Sequence, residues 1–292
     1  MTHPALAEQD HRPWPIPRRR WSWRQRWLDL LFAHWPVPAR VLQPLVPAEL
    51  EVQSFDGTSW LGVVPFRMED VLPRTGYALT SRTPLRRPLV TDFPELNLRI
   101  YVEHRGVPGV YFFSLDAGNP LAVCAARTFF HLPYFTARMR CRRVGEGIEY
   151  ESVRRGSERA RPGRDDAVDP PTVGLAGRYE PAGPVTPARP GSLEHWLTER
   201  YCLYTTHGGG RRRIGDPAAT GGPPAGRLLR GEIHHVPWPL QPARAELESC
   251  SLWDPVLAPD DRPTGPPPLL HFARAIDVVV WNLRPAEEPV GR

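Results

Sequence analysis

The chain has 292 residues, of which 41% are hydrophobic and 24% are charged. These proportions are typical of soluble globular proteins and exclude wholesale disorder. No stretch approaches about 18 uninterrupted apolar residues, which excludes a transmembrane helix. The N-terminus lacks the apolar core of a secretory signal. Its four cysteines (Cys124, Cys141, Cys202 and Cys250) form no C-x-x-C pair. We therefore expect a cytoplasmic protein with free thiols.

All 37 basic residues are arginines, and the chain contains no lysine. Lysine Schiff bases, lysine general bases and P-loop lysines are thereby excluded. The Gly208–Gly210 run lacks both the lysine and the spacing of a phosphate loop, so it predicts a flexible hairpin tip. A net charge of +5 is small and widely spread, so no nucleic-acid partner is predicted. No metal-ligand spacing occurs, and we predict neither a metal nor a cofactor.

Residues 1–20 are polar and rich in proline and arginine, which predicts a flexible basic arm. Ser22 and Gln25 form a capping-box pattern, and the apolar residues after them recur at helical spacing. This spacing predicts a helix over 23–35. The arm has features of a membrane-surface or nucleic-acid binder. We favour a solvated entry to the helix, and hence no membrane partner.

Alternation and turn residues predict strands through most of the remaining chain. We expect them at 50–55, 58–68, 95–104, 110–117, 135–144, 148–154, 175–180, 201–206, 227–236 and 269–284. Helices are expected over 120–131, 192–200 and 239–249. A Pro/Gly-rich excursion at 155–191 is expected within one domain spanning 21–286. These elements predict an α+β fold dominated by an antiparallel sheet.

Polar side chains follow one face of the strand predicted at 95–104. They are Glu95, Asn97, Arg99, Tyr101 and Glu103, opposite an apolar face. Such a stripe is either a solvated outer face, which is the default for an antiparallel sheet, or the lining of a cavity. Glu95 beside Asn97 and Arg99 has the chemistry of an acid–base and anion-binding group.

The helix predicted at 120–131 carries apolar residues on nearly every side, which predicts that it is buried together with Arg127. Because an unpaired buried charge is costly, Arg127 should meet a carboxylate or a bound anion. Asp116 and Glu95 lie close to it in the sequence. A structural ion pair and a substrate clamp both satisfy this argument.

Two further groups are candidates for a site. Glu199, Arg200 and Tyr201 lie where a helix ends and a strand begins, a place from which polar side chains often reach a cavity. His234 and His235 are adjacent on a strand and point to opposite faces, so they cannot share a metal. For His235, a capped structural histidine is the plainer interpretation.

Six segments of the chain are together similar to the YqjF-like family, bacterial proteins of unknown function. The segments lie between residues 30 and 241, and the resemblance as a whole covers about residues 27–283. They read LLFAHWPVPARVLQPLVPAEL, FDGTSWLGVVPFRM, FPELNLRIYVEHRGVPGVYFFSLDA, AARTFFHLPYFTARM, SLEHWLTERYCLY and HHVPWPLQ. This family resembles a branch of the acetoacetate-decarboxylase-like superfamily. The resemblance implies a curved, largely antiparallel sheet or barrel around a central cavity, with a few short helices.

The resemblance also implies that the polar stripe lines this cavity, with Glu95 at the position of a glutamate that assists proton transfer in the decarboxylases. The decarboxylases carry a Gly-Arg-Glu helix and a Pro-Lys-Lys segment whose lysine forms the Schiff base. Ala126–Arg127–Thr128 and Pro133–Tyr134–Phe135 occupy those places here. The arginine is kept, whereas the glutamate and both lysines are not, so imine-based decarboxylation is excluded.

The sequence leaves open whether the protein is an enzyme. One hypothesis is non-imine acid–base chemistry of the lyase, hydratase or isomerase type on a small carboxylate or carbonyl compound. Arg127 and Arg99 would hold the anion, Glu95 would move the proton, and Tyr134 or His235 would polarise the carbonyl. The alternatives are a non-catalytic small-molecule-binding protein and an interaction scaffold built on the arm. The oligomeric state stays open.

The candidate residues are therefore divided into two sets. The predicted catalytic residues are Glu95, Tyr134 and His235. The predicted substrate-binding residues are Asn97, Arg99, Asp116, Arg127, Glu199, Arg200 and Tyr201.

Overall fold

A computed structural model describes residues 3–74, 92–155, 172–208 and 226–291. These residues contain thirteen strands in one sheet. The strands are β1 (Trp23–Pro36), β2 (Glu51–Val52), β3 (Trp60–Pro73), β4 (Phe93–His104), β5 (Val107–Ala117), β6 (Tyr134–Val144), β7 (Gly147–Arg154), β8 (Gly174–Pro181), β9 (Cys202–Thr206), β10 (Leu228–His234), β11 (Gln241–Cys250), β12 (Leu269–Val280) and β13 (Arg284–Pro285). The helices are α1 (Ala39–Leu42), α2 (Pro120–Phe129) and α3 (Leu193–Thr198).

The strand order is β13-β10-β9-β5-β6-β7-β8-β11-β12-β1-β3-β4-β2, with additional pairings of β10 with β12 and of β5 with β4. Among the strands of the described residues, parallel pairing occurs only between β5 and β6 and between β5 and β9. The additional pairings return the sheet onto itself, so that it curves around an interior. The β10–β12 contact is short and consists of the pairs Ile233↔Val280 and His234↔Val279. The architecture is therefore a curved sheet. The α+β, largely antiparallel fold class is confirmed.

The helix predicted over 23–35 is wrong, because these residues form β1. Asp29 lies within the strand with a φ of 54°, and the pairing of β1 with β3 shifts register between Leu28 and Ala33. This bulge changes the phase of the alternation. Trp27 faces the interior before it, and Leu30 faces the interior after it. The phase change produces an apolar spacing that resembles a helix.

The helix predicted over 239–249 is also wrong, since it coincides with β11. Alanine, glutamate and leucine are good helix formers, but pairing with β8 overrides this preference. Burial along β11 alternates strictly over most of its length. The half-buried residues are Ala243, Ala245 and Leu247, and the exposed ones are Arg244, Glu246 and Glu248.

Helix α2 begins where it was predicted, but it is not buried. The side-chain oxygen of Asn119 caps it by accepting a hydrogen bond from the Leu121 amide at 2.9 Å. Val123 is the buried residue of the helix, whereas Leu121 and Phe129 are 66% and 64% exposed. The helix therefore lies at the surface, and Arg127 is not the deeply buried charge that was expected.

The N-terminal segment differs from the flexible arm predicted for residues 1–20. Arg12 and Trp14 are buried against β10. Arg12 Nη2 and Trp14 Nε1 both donate to Glu232 Oε2, at 2.8 Å and 2.9 Å. Arg230 Nε donates to the other oxygen of the same carboxylate at 3.3 Å. The segment is thus held by a buried network of polar contacts.

The other predicted strands overlap β2 to β10 and β12 in the predicted order. Ser192 begins α3 by accepting from the His195 amide at 3.3 Å, as expected for a helix starting there. Most of the glycine run and residues 156–171 of the predicted excursion lie outside the described residues. Within the described ranges, every helix is too short or too polar to cross a membrane.

Candidate functional site

A cavity of about 390 Å³ lies inside the curved sheet, a volume typical of small-molecule sites. Six of the ten predicted site residues line it, namely Glu95, Asn97, Arg99, Tyr134, Arg200 and His235. The remaining lining is largely apolar and rich in aromatic rings. The most prominent are Trp27, Phe32, Phe66, Phe112 and Trp238.

The first four residues of the polar stripe of β4, Glu95 to Tyr101, are buried inside the protein and do not form a solvated outer face, whereas Glu103 is half-buried. Glu95, Asn97 and Arg99 line the cavity, while Leu96 and Leu98 pack into a core cluster on the other side of the sheet. Strand β4 is buried on both faces. Because a polar side chain buried in this way needs partners, the stripe marks the polar part of an otherwise apolar cavity.

Glu95 and Tyr134 form one end of this polar part, which we call the acid end. Tyr134 Oη donates to Glu95 Oε2 at 2.9 Å. Burial raises the pKa of Glu95 to about 8, against the opposing effect of hydrogen bonds from Tyr134 and Asn97. Burial also raises the pKa of Tyr134 well above its ordinary value. At neutral pH both groups therefore hold their protons.

Arg99 and Arg200 form the other end, which we call the arginine end. Their side chains are nearly buried, with 9% and 8% of the residue exposed. Both guanidinium carbons lie close to the ring centroid of Tyr101, at 5.7 Å and 5.2 Å. Burial lowers the pKa of Arg200 to about 10. Tyr101, Cys202 and Glu103 oppose this shift, and the positive charge of Arg99 adds to it. Arg200 still carries its charge at neutral pH.

Neutral groups hold Arg200 in place. Its Nη1 donates to Gln53 Oε1 at 2.6 Å, and its Nε donates to the Trp196 carbonyl at 2.7 Å. Gln53 is in turn fixed by donating to Glu103 Oε2 at 2.8 Å. Sequence reasoning missed Gln53, which lies 147 positions from Arg200 and carries no local signal of this contact.

Arg99 is held by a second chain of neutral groups. Its Nη2 donates to Tyr101 Oη at 3.4 Å, and that hydroxyl is hydrogen-bonded to His34 Nε2 at 2.6 Å. Burial lowers the pKa of His34 well below its ordinary value, so the imidazole is neutral. A Cβ at Gly62 would lie 3.3 Å from the His34 ring and 3.4 Å from Arg99 Cγ. Glycine at this position therefore leaves room for both side chains.

His235 lines the cavity as a neutral acceptor. Its Nδ1 lies 2.7 Å from the Val236 carbonyl, which can only accept, so Nδ1 carries the proton and Nε2 does not. Burial lowers the pKa of His235 to about 3. In this state it has no N–H left to polarise a carbonyl, contrary to the role considered for it. The Tyr134 hydroxyl is likewise engaged, by Glu95.

Asp116 and Arg127 do not line the cavity. Asp116 accepts from Arg154 Nε at 2.9 Å in a buried ion pair, so it is not the partner expected for Arg127. Arg127 Nε instead donates to the Tyr134 carbonyl at 2.6 Å. This bond ties helix α2 to the start of β6, close to the acid end.

Glu199 and Tyr201 also lie outside the cavity lining, but they contact a residue that belongs to it. Tyr201 Oη donates to the Glu199 carboxylate. Glu199 Oε1 accepts from the Trp238 backbone amide at 2.9 Å. The Trp238 ring lies 4.9 Å from that of Phe32 in an edge-on contact. Glu199 therefore positions an aromatic wall of the cavity.

Sequence reasoning missed the aromatic wall. Trp23, Gln25 and Trp27 all line the cavity, and their spacing of two residues is the signal of a strand face. Because residues 23–35 were predicted to form a helix, this spacing was not interpreted as a strand face. Trp238 follows β10 in an irregular segment, where no periodicity indicates the direction of a side chain.

Comparisons with known proteins agree with this architecture. The model of the DUF2071 family, described as an uncharacterized conserved protein, matches residues 24–277. The chain is similar to the uncharacterized protein YqjF of Bacillus subtilis (strain 168). The two are 38% identical over 271 residues, which cover 92% of this chain and 94% of the relative.

Two solved structures show the same fold. One is an acetoacetate decarboxylase from Legionella pneumophila, with a TM-score of 0.54 and 12% identity, covering 94% of this chain and 92% of that one. The other is the enduracididine biosynthesis enzyme MppR complexed with pyruvate, with a TM-score of 0.53 and 12% identity, covering 94% and 93%. The fold is acetoacetate-decarboxylase-like, and at such identities the likeness extends to the fold alone.

Proposed function

The chain belongs to the DUF2071 family of YqjF-like proteins, and from this premise we propose that its cavity binds a small carboxylate or carbonyl compound. The protein acts on this compound by acid–base chemistry of the lyase, hydratase or isomerase type. The chemistry involves no lysine imine, since the chain has no lysine. The proposal places the protein in the cytoplasm, with a small molecule as its partner and neither nucleic acid nor a membrane.

The observation that carries this proposal is the buried carboxyl group of Glu95 at one end of the cavity. With a pKa of about 8, it is mostly protonated at neutral pH and close to the value at which proton donation is efficient. Tyr134 donates to it and acts as a positioning residue. Glu95 is therefore the catalytic residue of the proposal.

The arginine end supplies the second requirement, which is a place for a negative charge. Arg99 and Arg200 line the same cavity as Glu95. A ligand anion held there would be fixed relative to the proton donor, and such orientation lowers the barrier to proton transfer. MppR has been solved in complex with pyruvate, which makes keto acids suitable first probes here.

A non-catalytic binding protein is the second candidate. It is favoured by the engagement of Tyr134 and His235, whose N–H and O–H groups are already donated within the protein. In that case the cavity would sequester or sense the same class of compound. Both candidates predict binding, but only the first predicts turnover.

The test combines a binding screen with an assay of turnover. The wild type and Glu95→Gln would be screened at pH 7 by thermal shift against short keto acids, enoic acids and aromatic carboxylates. A ligand at a hundred times its Kd adds about 2.7 kcal/mol of stability, or several degrees in Tm. Proton NMR of each stabilising ligand would then report whether it is converted.

We expect Glu95→Gln to keep the thermal shift and to lose about 100-fold or more in turnover. Turnover that is unchanged in Glu95→Gln would contradict the catalytic role. A ligand recovered intact after long incubation with the wild type would instead establish the binding protein. Failure of every compound to raise Tm would overturn both candidates.

A further inference from the structure

We propose that Arg99 and Arg200 form a carboxylate subsite, and that the ligand is an arylalkyl or medium-chain carboxylic acid. Its carboxylate lies at the arginine end, and its hydrocarbon body extends through the aromatic part of the cavity toward Glu95. This inference rests on the proposed function and deepens it, because it names the head group, the size class and the orientation of the ligand.

The charge of the arginine end is the first argument. Among the residues that the structure describes, no carboxylate lies within 4.0 Å of either guanidinium group, whose polar contacts are with Tyr101, Gln53 and the Trp196 carbonyl. Two like charges are thus buried together without a direct ion pair, and the Glu103 carboxylate acts on Arg200 only from the far side of Gln53. Since uncompensated buried charge is unfavourable, a bound anion would stabilise this arrangement.

Hydrogen-bonding capacity also remains on both side chains. Arg99 Nε and Arg200 Nη2 are buried and have no hydrogen-bond partner within the described part of the chain. A carboxylate presents two acceptor oxygens, whereas a phosphate presents three. Because Arg200 already uses two of its nitrogens inside the protein, the smaller acceptor matches the donors that remain.

The size and lining of the cavity are the second argument. Its volume of about 390 Å³ corresponds to about a dozen water molecules, so a four-carbon acid would leave most of it empty. Trp27 and Trp238 stack with ring centroids 6.0 Å apart, and Phe66 lies 5.7 Å from Trp27. Flat aromatic walls of this kind favour an aromatic or extended hydrocarbon body.

The geometry of β4 sets the orientation. Glu95 and Arg99 are four residues apart on one strand, which separates their Cα atoms by about 13 Å. An acid with about ten or more non-hydrogen atoms would extend from the arginine end into the region of Glu95. A reactive carbonyl or hydroxyl group on the far part of such an acid would then meet the proton donor.

The test is isothermal calorimetry at pH 7 with 4-phenylbutyrate, octanoate, acetoacetate, 4-phenylbutyl phosphate and the uncharged 4-phenylbutanamide. The proteins are the wild type, Arg99→Gln, Arg200→Gln and Arg142→Gln. Arg142 is an exposed arginine paired with Glu149 at 2.6 Å, and it serves as the matched control. Unfolding curves would establish that each variant is folded.

We expect 4-phenylbutyrate to bind the wild type at least tenfold more tightly than acetoacetate or the amide. Each cavity variant should lose about tenfold to a hundredfold in affinity, and Arg142→Gln should lose none. Equal affinity for the acid and the amide would overturn the carboxylate subsite. Since this comparison uses the wild type alone, it stands even if a variant fails to fold.

The remaining outcomes separate this inference from the proposed function. If acetoacetate binds at least as tightly as 4-phenylbutyrate and is turned over in a Glu95-dependent manner, the ligand class is wrong and the proposed function stands. Tighter binding of the phosphate than of 4-phenylbutyrate would overturn the carboxylate head group. If no compound binds, both proposals fail.

Discussion

Buried arginines occur in two regions of this molecule, and their partners differ. Under the N-terminal segment, Arg12 and Arg230 share the carboxylate of Glu232. In the cavity, Arg99 and Arg200 are held by Tyr101, Gln53 and a backbone carbonyl, all of them neutral. Within the described residues, the first pair of arginines therefore has a carboxylate in direct contact, and the second pair does not.

Another buried arginine, Arg154, also has a carboxylate partner within the protein. Arg154 pairs with Asp116 through contacts of 2.8 Å to 3.2 Å, and both side chains are buried. Its guanidinium carbon lies 4.1 Å from the Phe135 ring centroid, away from the cavity lining. Arg12, Arg154 and Arg230 have a counter-ion within the protein. Arg99 and Arg200 have no carboxylate within 4.0 Å among the described residues, and we propose that a ligand supplies it.

The largest effect is expected from Glu232→Gln, which removes the shared counter-ion of the neutralised region. Arg12 and Arg230 would both stay buried without compensation, and the free energy of unfolding should fall by about 3–5 kcal/mol. Urea denaturation at pH 7 measures this loss. Glu149→Gln, which breaks an exposed pair with Arg142, is the control and should change stability by about 0.5 kcal/mol or less. A similarly small loss in the free energy of unfolding of Glu232→Gln would contradict the distinction between the two pairs of buried arginines.

The pH dependence of the free energy of unfolding should reveal the ionisation of Glu95. Burial raises the pKa of folded Glu95 from 4.5 to about 8, so between these values the folded state binds a proton that the unfolded state has released. The contribution of this proton to the free energy of unfolding is complete below about pH 4.5. It decreases by about 1.4 kcal/mol per pH unit as the pH rises toward 8. Glu95→Gln should lack this loss. Parallel stability curves for the two proteins would refute the burial of a protonated Glu95.

The contact between Tyr134 and Glu95 should have a moderate effect. Tyr134→Phe removes a hydrogen bond of 2.9 Å and should lower stability by about 1 kcal/mol. The same bond opposes the rise in the pKa of Glu95, so its removal should move the ionisation of Glu95 to higher pH. Carbon-13 NMR of the labelled Glu95 carboxyl would record the titration midpoint. A midpoint that stays in place or falls would show that Tyr134 does not position this acid.

The smallest change in stability is expected from Arg200→Met. This variant loses bonds to Gln53 and to the Trp196 carbonyl, but it also removes a buried charge that has no carboxylate in direct contact. These effects oppose each other, so stability should stay within about 1 kcal/mol of the wild type, while carboxylate binding is lost. Denaturation and calorimetry on one preparation measure both. A loss comparable to that of Glu232→Gln would place Arg200 among the structural arginines.

The sequence predicted the fold class and the β4 stripe because both depend on local alternation. It did not predict β1, since the bulge at Asp29 breaks that alternation. It expected Arg127 to meet a carboxylate or a bound anion, because an apolar helix was taken to be buried. The contact of Arg200 with Gln53 joins distant segments through the pairing of the sheet, which no local pattern encodes.

The most direct test is a crystal structure of the wild type grown with 4-phenylbutyrate at pH 7. The account predicts carboxylate oxygens at about 2.8 Å from guanidinium nitrogens of Arg99 and Arg200, with the phenyl ring packed against the aromatic wall formed by Trp27, Phe66 and Trp238. A carboxylate bound against Glu95 and Tyr134, with ordered water at the arginine end, would contradict it.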